Sequence, residues 1–176
     1  VPARALAMLY DNYNHVVTLT DSNIDTVADL KDRIVSTGAP GSGTEVSAFR
    51  ILEAAGVDPE TDIRRQSLGV SQSVDALKDD KIDAFFWSSG IPTGSVLDLA
   101  TTPGRTIKLV ASDELLATLQ GQYGASIYHT STIPSATYPG MDADVTVIAV
   151  ANVLVAHESM GEELASQITR ALFDYH

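Results

Sequence analysis

The chain contains no cysteine among its 176 residues. That removes disulfide bridges, thiolate catalysis and zinc–thiolate sites together, without fixing a compartment. It is also short of positive charge, with 11 lysines and arginines against 23 aspartates and glutamates, for a net charge of −12. A surface of that sign repels phosphate backbones, so nucleic acid is not expected as a partner. The same acidity favours solubility and suits an exported protein. No apolar run approaches the roughly 20 residues of a membrane-spanning helix. The opening stretch VPARALAMLY lacks the order of charged lead, apolar core and cleavage site that marks a secretory leader. Metal ligands are sparse too: His15, His129, His157 and His176 are scattered, and HESMG lacks the second histidine of a zinc-binding helix. Asp79 with Asp80, and Asp142 with Asp144, read as solvated turn carboxylates outside any EF-hand pattern.

What is present is an ordinary globular composition, 44% hydrophobic and 19% charged, in a chain long enough for one domain or for a lobe and part of another. RALAMLYD reads as a short helix leading into a strand at HVVTLT, where Val16, Val17 and Leu19 are β-formers. DSNIDTVADLKD reads as a turn and a short helix capped by Ser22 or Asp25, and RIVSTG as a short strand. A helix is expected over residues 45–55, with Val46, Phe49, Leu52 and Ala55 on one stripe and Gly56 as a left-handed stop. DIRRQSLG gives a further strand, and SQSVDALKDDKIDAFFWSSG a serine-capped helix, a charged turn and a buried strand. FFWSSGIPTGSVLDLAT repeats the strand–loop–helix order, with Val96, Leu97 and Leu99 in the helix. TIKLVA reads as a strand, DELLATLQ as a helix and HTSTIPSATYPGMDAD as an irregular surface loop. VTVIAVANVLVA is one long strand or two broken near Asn152, and SMGEELASQITRALFDYH is an amphipathic helix with Leu164, Ile168 and Leu172 four residues apart. Alternation of this kind implies an α/β fold, a largely parallel sheet with helices on both faces, and ligands at the carboxyl ends of its strands.

The stretch STGAPGSGTEV sits at such an end. GAPGSGTE satisfies the glycine spacing of a nucleotide P-loop but has Thr44 where the lysine would stand and Glu45 where the magnesium-binding hydroxyl would stand. Ser42 is flanked directly by Gly41 and Gly43, which is the wrong spacing for a nucleophile elbow. What remains is recognition by backbone amides and by the Ser42 and Thr44 hydroxyls at a helix start, an arrangement suited to a carboxylate. The alternative is a glycine turn and a threonine cap that only begin a helix. SSGIPTG supplies a second loop, with Ser88, the Gly90 amide and Thr93. Trp87 fits either the core or a cleft wall, and Arg64 and Arg65 read as surface charges.

The succession of GAPGSGTE, KIDAFF followed by GIPTG, and TIPSATYPG resembles, over essentially the whole chain, the TAXI family of extracytoplasmic solute receptors of TRAP transporters. The resemblance implies a type II periplasmic binding protein fold, an α/β lobe whose mixed, mostly parallel sheet is flanked by helices. Because such receptors are longer and begin with a signal peptide, it also implies a fragment of a two-lobe protein. Residues 20–144 would be the second lobe, residues 1–19 a remnant of the first lobe with a crossing strand, and residues 145–176 the returning strand and a helix of the first lobe. Also implied are a small carboxylate or amino-acid ligand such as glutamate, a sodium-coupled membrane permease as partner, and a periplasmic or extracytoplasmic location with membrane anchoring of the parent protein. No catalysis, cofactor, metal or nucleic acid is expected, and surface left bare in a fragment would favour a homodimer. Carried over by position, Gly41, Ser42, Gly43 and Thr44 form the carboxylate grip and Ser88, Gly90, Pro92 and Thr93 the facing loop. Tyr10 would stack on or hydrogen-bond the ligand. Two other uses of the fold compete: a transferase such as ATP phosphoribosyltransferase, for which no cleft base is visible, and the sensing domain of a transcription regulator, against which the TIPSATYPG loop argues.

Overall fold

The computed structural model describes residues 2–174. Val1, at the start of the expected 1–19 segment, and Tyr175 and His176, at its 145–176 counterpart's end, lie outside the described residues. The chain divides into two compact units, Asn12–Val150 and a smaller one from Val1–Asp11 with Ala151–His176.

The larger unit is built on a mixed sheet. Its strands are β1 (Ala3–Leu19), β2 (Ile34–Ser36), β3 (Arg64–Gln66), β4 (Ala84–Ser89), β5 (Ile107–Leu109), β6 (Tyr128–Ile133) and β7 (Val145–His157), of which β1 and β7 also run into the smaller unit. The sheet order is β3-β2-β4-β1-β7-β6, with β5 also paired to β1. Pairing is parallel for β2 with β3 and with β4, and antiparallel for β1 with β4 and β5 and for β6 with β7. Successive residues of a strand point to opposite faces, and the core divides accordingly. Val16, Phe86 and Ile148 enter one cluster with Ile51, Leu52 and Leu119, and Val17, Phe85 and Val147 enter the other with Leu77, Val96 and Leu99. Thus α1 (Gly43–Ala54) and α4 (Leu116–Tyr123) cover one face, and α2 (Val70–Lys78) and α3 (Gly94–Ala100) the other.

Several local expectations are corrected. The predicted N-terminal helix is absent: β1 is continuous from Ala3 to Leu19, and pairing along the strand overrides the helix propensity of its alanines and leucines. Helix α1 turns a different stripe inward, burying Ala48, Ile51 and Leu52 while Val46 is 48% exposed. Neither Ser22 nor Asp25 caps the 3₁₀ turn Val27–Leu30; Thr26 does, with the Asp29 carboxylate accepting from the Thr26 amide at 2.8 Å. Helix α2 begins after Gly69, not a serine, and Gln72 Oε1 accepts from the Gly69 amide at 3.2 Å. HTSTIPSATYPGMDAD is not wholly an irregular surface loop: its first part is β6, paired to β7, and Tyr138 is buried.

In the smaller unit, the Glu158 amide donates to Pro2 O at 3.0 Å, and the amphipathic helix α5 (Glu162–Asp174) follows as expected. No residue of that helix is fully buried. Met8, Tyr10, Val155, Leu164 and Phe173 are all exposed. Among the described residues, no helix is long and apolar enough to cross a membrane.

Candidate functional site

The glycine-rich loop leaves the carboxyl end of β2 and enters α1. Gly38 has φ +100°, and a side chain there would place its Cβ 2.8 Å from Thr44 Cγ2. Glycine is therefore required by contact as well as by conformation. Gly41, at φ +73°, turns the chain into the helix. Ser42 is the N-cap, and its Oγ accepts from the Glu45 amide at 3.2 Å. Glu45 reciprocates by accepting from the Gly41 amide at 2.7 Å and pairs with Arg65 Nη1 at 3.2 Å. The Ser42 amide donates to Ala39 O. Of the amides at this helix start, those of Gly43 and Thr44 are left without a protein acceptor among the described residues, pointing along the positive end of the helix dipole.

Those two amides border a pocket of about 520 Å³. Ser42, Thr44, Ser47 and Arg50 line it from α1, Trp87 and Ser88 from β4, and Asn12, Val46, Ile127, Tyr128 and Val150 complete the wall. Thr44 Oγ1 accepts from the Ser88 amide at 3.4 Å, which joins the helix start to the carboxyl end of β4. Arg50 Nη1 donates to Tyr128 Oη at 3.0 Å, and the guanidinium lies 4.2 Å from the centre of the Tyr123 ring. The hydrogen bond to Tyr128 raises the Arg50 pKa above its ordinary value, so this wall carries a fixed positive charge.

The structure thus brings Ser42, Gly43, Thr44 and Ser88 to one pocket and leaves the other expected site residues off its lining. The Gly41 amide serves the cap. Gly90, Pro92 and Thr93 form a self-supporting loop with a cis Ile91–Pro92 bond. In it Thr93 Oγ1 accepts from Trp87 Nε1 at 3.2 Å and lies 2.5 Å from Ser89 Oγ. The Thr93 amide donates to Tyr138 Oη at 3.0 Å, and Tyr138 in turn faces His15 Nε2 at 3.0 Å. His15 is wholly buried, and burial lowers its pKa below 6.5 despite backbone contacts at Tyr13 and Trp87. Burial raises that of Tyr138. Tyr10 belongs to the smaller unit and is 56% exposed.

Arg50 and Tyr128 were missed by the sequence reading. The signal for Arg50 is its position four residues after Val46 on the helix that follows the glycine loop. Tyr128 carried none, because its strand read as loop. Chemically the pocket can hold an anion by amides, hydroxyls and a guanidinium. It presents no paired nucleophile and base: no histidine lines it, Ser42 Oγ is engaged by the Glu45 amide, and the Glu45 carboxylate is held by Gly41 and Arg65.

The model of the NMT1-like family matches residues 3–176. Among solved structures, the chain is similar to the periplasmic aliphatic sulphonate binding protein SsuA of Escherichia coli, with 14% identity and a TM-score of 0.52 over 99% of this chain and 46% of that one. It is similar to an ancestral arginine-binding protein bound to glutamine, with 16% identity and a TM-score of 0.54 over 98% of this chain and 57% of that one. A periplasmic binding protein from Brucella ovis with glutathione bound matches at 9% identity and a TM-score of 0.53, over 97% of this chain and 41% of that one. At these identities the likeness shows the fold, that of a periplasmic binding protein lobe, and the chain spans about half the length of these structures.

Proposed function

The chain belongs to the NMT1-like family, and from that premise we propose that it is the ligand-holding part of an extracytoplasmic receptor of a TAXI-type TRAP transporter. It captures a small carboxylate, such as glutamate or a related amino or dicarboxylic acid, and presents it to a membrane permease for sodium-coupled uptake. It holds the anion without changing it. The observation that carries this reading is the convergence of the free Gly43 and Thr44 amides with Ser42 and Ser88 on one pocket at the carboxyl ends of β2 and β4. Oriented amides at a helix start offer a carboxylate charge-assisted hydrogen bonds, and no group there is poised for bond making. The motifs GAPGSGTE, GIPTG and TIPSATYPG support the transporter subtype, and the likeness to periplasmic binding proteins supports the location.

In this reading residues 20–144 act as the second lobe of a hinged receptor, and residues 1–19 and 145–176 carry the crossing strands. Capture is a population shift in which ligand on one lobe gains contacts from the other and favours the closed state. The test is isothermal titration of the full-length protein, freed of co-purified ligand by unfolding and refolding, against glutamate, glutamine, 2-oxoglutarate and C4-dicarboxylates. One-to-one binding of one of these, weakened roughly three- to tenfold by Thr44→Val through loss of one hydroxyl, is expected. Silence across the panel overturns the carboxylate reading.

A further inference from the structure

Arg50 is held by two tyrosines, not by a carboxylate. In a protein of net charge −12, this half-buried guanidinium forms no ion pair with a carboxylate among the described residues. Glu53, three residues on along the helix, acts on the guanidinium through space without a direct ion pair, and its Oε2 accepts from the Tyr123 hydroxyl at 3.1 Å. Among the described residues one of the guanidinium's donors is used, toward Tyr128, although the fork has five. Tyr128 is buried, and Tyr123 stacks against the guanidinium at 4.2 Å, so the charge is oriented before any ligand arrives on a residue that lines the pocket. A cation fixed in this way costs little entropy to engage and suits a planar, two-oxygen anion.

The same pocket has a separate anion-binding end at the Gly43 and Thr44 amides. Thr44 and Arg50 are six residues apart on α1, which is about 9 Å along a helix axis. That is the rise between backbone positions; both residues line one pocket, and a short ligand carrying an acid group at each end can engage the two. Val46, Trp87 and Val150 add apolar surface to the same pocket. We propose that Arg50 is the specificity-determining counter-ion for a second acid group, so that the pocket prefers short-chain diacids to otherwise identical ligands with one acid group. The assignment rests on the carboxylate-receptor reading above and adds to it the residue that reads the far end.

The experiment titrates the full-length, ligand-free protein with glutamate and with glutamine, its neutral isostere at the far end, in wild type, Arg50→Gln and Arg50→Lys. Circular dichroism and thermal melting confirm that each variant is folded. The expected result is a wild-type preference for glutamate that Arg50→Gln reduces about 10- to 100-fold. Glutamine affinity should stay within about twofold, and Arg50→Lys should keep part of the preference as a charge without the fork. If Arg50→Gln weakens both ligands equally, Arg50 only supports the pocket wall, and the inference fails while the receptor reading stands. It fails in the same way if the wild type binds both ligands equally, or if Arg50→Gln leaves its preference unchanged. If the wild type binds neither these nor the other acids of the panel, the receptor reading fails and the role of Arg50 falls with it.

Discussion

Replacing Tyr138 by phenylalanine keeps the buried ring and removes one oxygen, which makes it a sharp probe of how the two motif loops are held. His15 Nδ1 lies 3.0 Å from Tyr13 O and 3.2 Å from Trp87 O. Both are acceptors, so Nδ1 carries the proton and Nε2 is left to accept from the Tyr138 hydroxyl at 3.0 Å. The same hydroxyl oxygen accepts from the Thr93 amide at 3.0 Å. In Tyr138→Phe the imidazole nitrogen becomes an orphan in a fully buried ring, at a cost of about 1–3 kcal/mol. The Thr93 amide is only half-buried and can turn to water, so it adds less. A total near 2 kcal/mol lowers Tm by roughly 4–8 °C for a chain of this size. The assay is urea and thermal unfolding of both proteins. Intrinsic fluorescence supplies a local reading, because Trp87 is the chain's single tryptophan and its indole N–H donates to Thr93 Oγ1 at 3.2 Å. The expected result is a clear loss of stability with a shift in Trp87 emission in the folded state. A change below about 0.5 kcal/mol, with unaltered emission, would refute the relay from His15 through Tyr138 to Thr93.

Two further outcomes follow from the same geometry. Gly38→Ala sets a Cβ 2.8 Å from Thr44 Cγ2 and 3.1 Å from the Glu45 amide at φ +100°, so it should destabilise by about 2–4 kcal/mol; Gly41→Ala, with open space around it, should cost about 1–2 kcal/mol, and equal losses in denaturant titrations would remove the steric argument. Burial holds the folded pKa of His15 below 6.5, so the unfolded chain takes up a proton that the folded one refuses; stability should be full well above pH 6.5 and decline as the pH falls through and below it, and an NMR titration in which the His15 ring protonates near 6.5 in the folded protein would contradict this.

Much of the fold was legible because the periodicity was local. The strand–loop–helix order around β2 and β4 follows from apolar runs bounded by glycine, whereas the cap of α1 is Ser42, whose Oγ accepts from the Glu45 amide, and not the threonine expected there. The misreadings share a cause in long-range pairing. Residues 3–10 carry alanine, leucine and methionine, which favour a helix in isolation, yet they continue a strand. HTSTIP reads as polar loop because β6 shows only intermittent apolar positions; its two buried ends, Tyr128 and Ile133, are set by pairing with β7. Arg50 was hidden for a related reason: its role depends on Tyr123 and Tyr128, more than 70 residues away in the chain, and no spacing rule connects them.

The motif residues divide by what their polar atoms already do. Ser42 Oγ, the Gly41 amide, Thr93 Oγ1 and the Tyr138 hydroxyl each have protein partners, so a ligand that claimed them would have to break a bond first. The Gly43 and Thr44 amides and the remaining donors of Arg50 have none among the described residues. A net hydrogen bond contributes about 1 kcal/mol, and exchanging one protein partner for another contributes close to nothing. Affinity must therefore come from the unclaimed groups, with which the Thr44 hydroxyl counts as a donor, because its oxygen accepts from the Ser88 amide while its proton has no acceptor among the described residues. The motif residues with partners, Gly38 beside Thr44 and Tyr138 behind Thr93 above all, act by keeping the unclaimed ones still. A motif records both kinds alike, and only the accounting of donors and acceptors separates the residues that hold a ligand from those that hold the site.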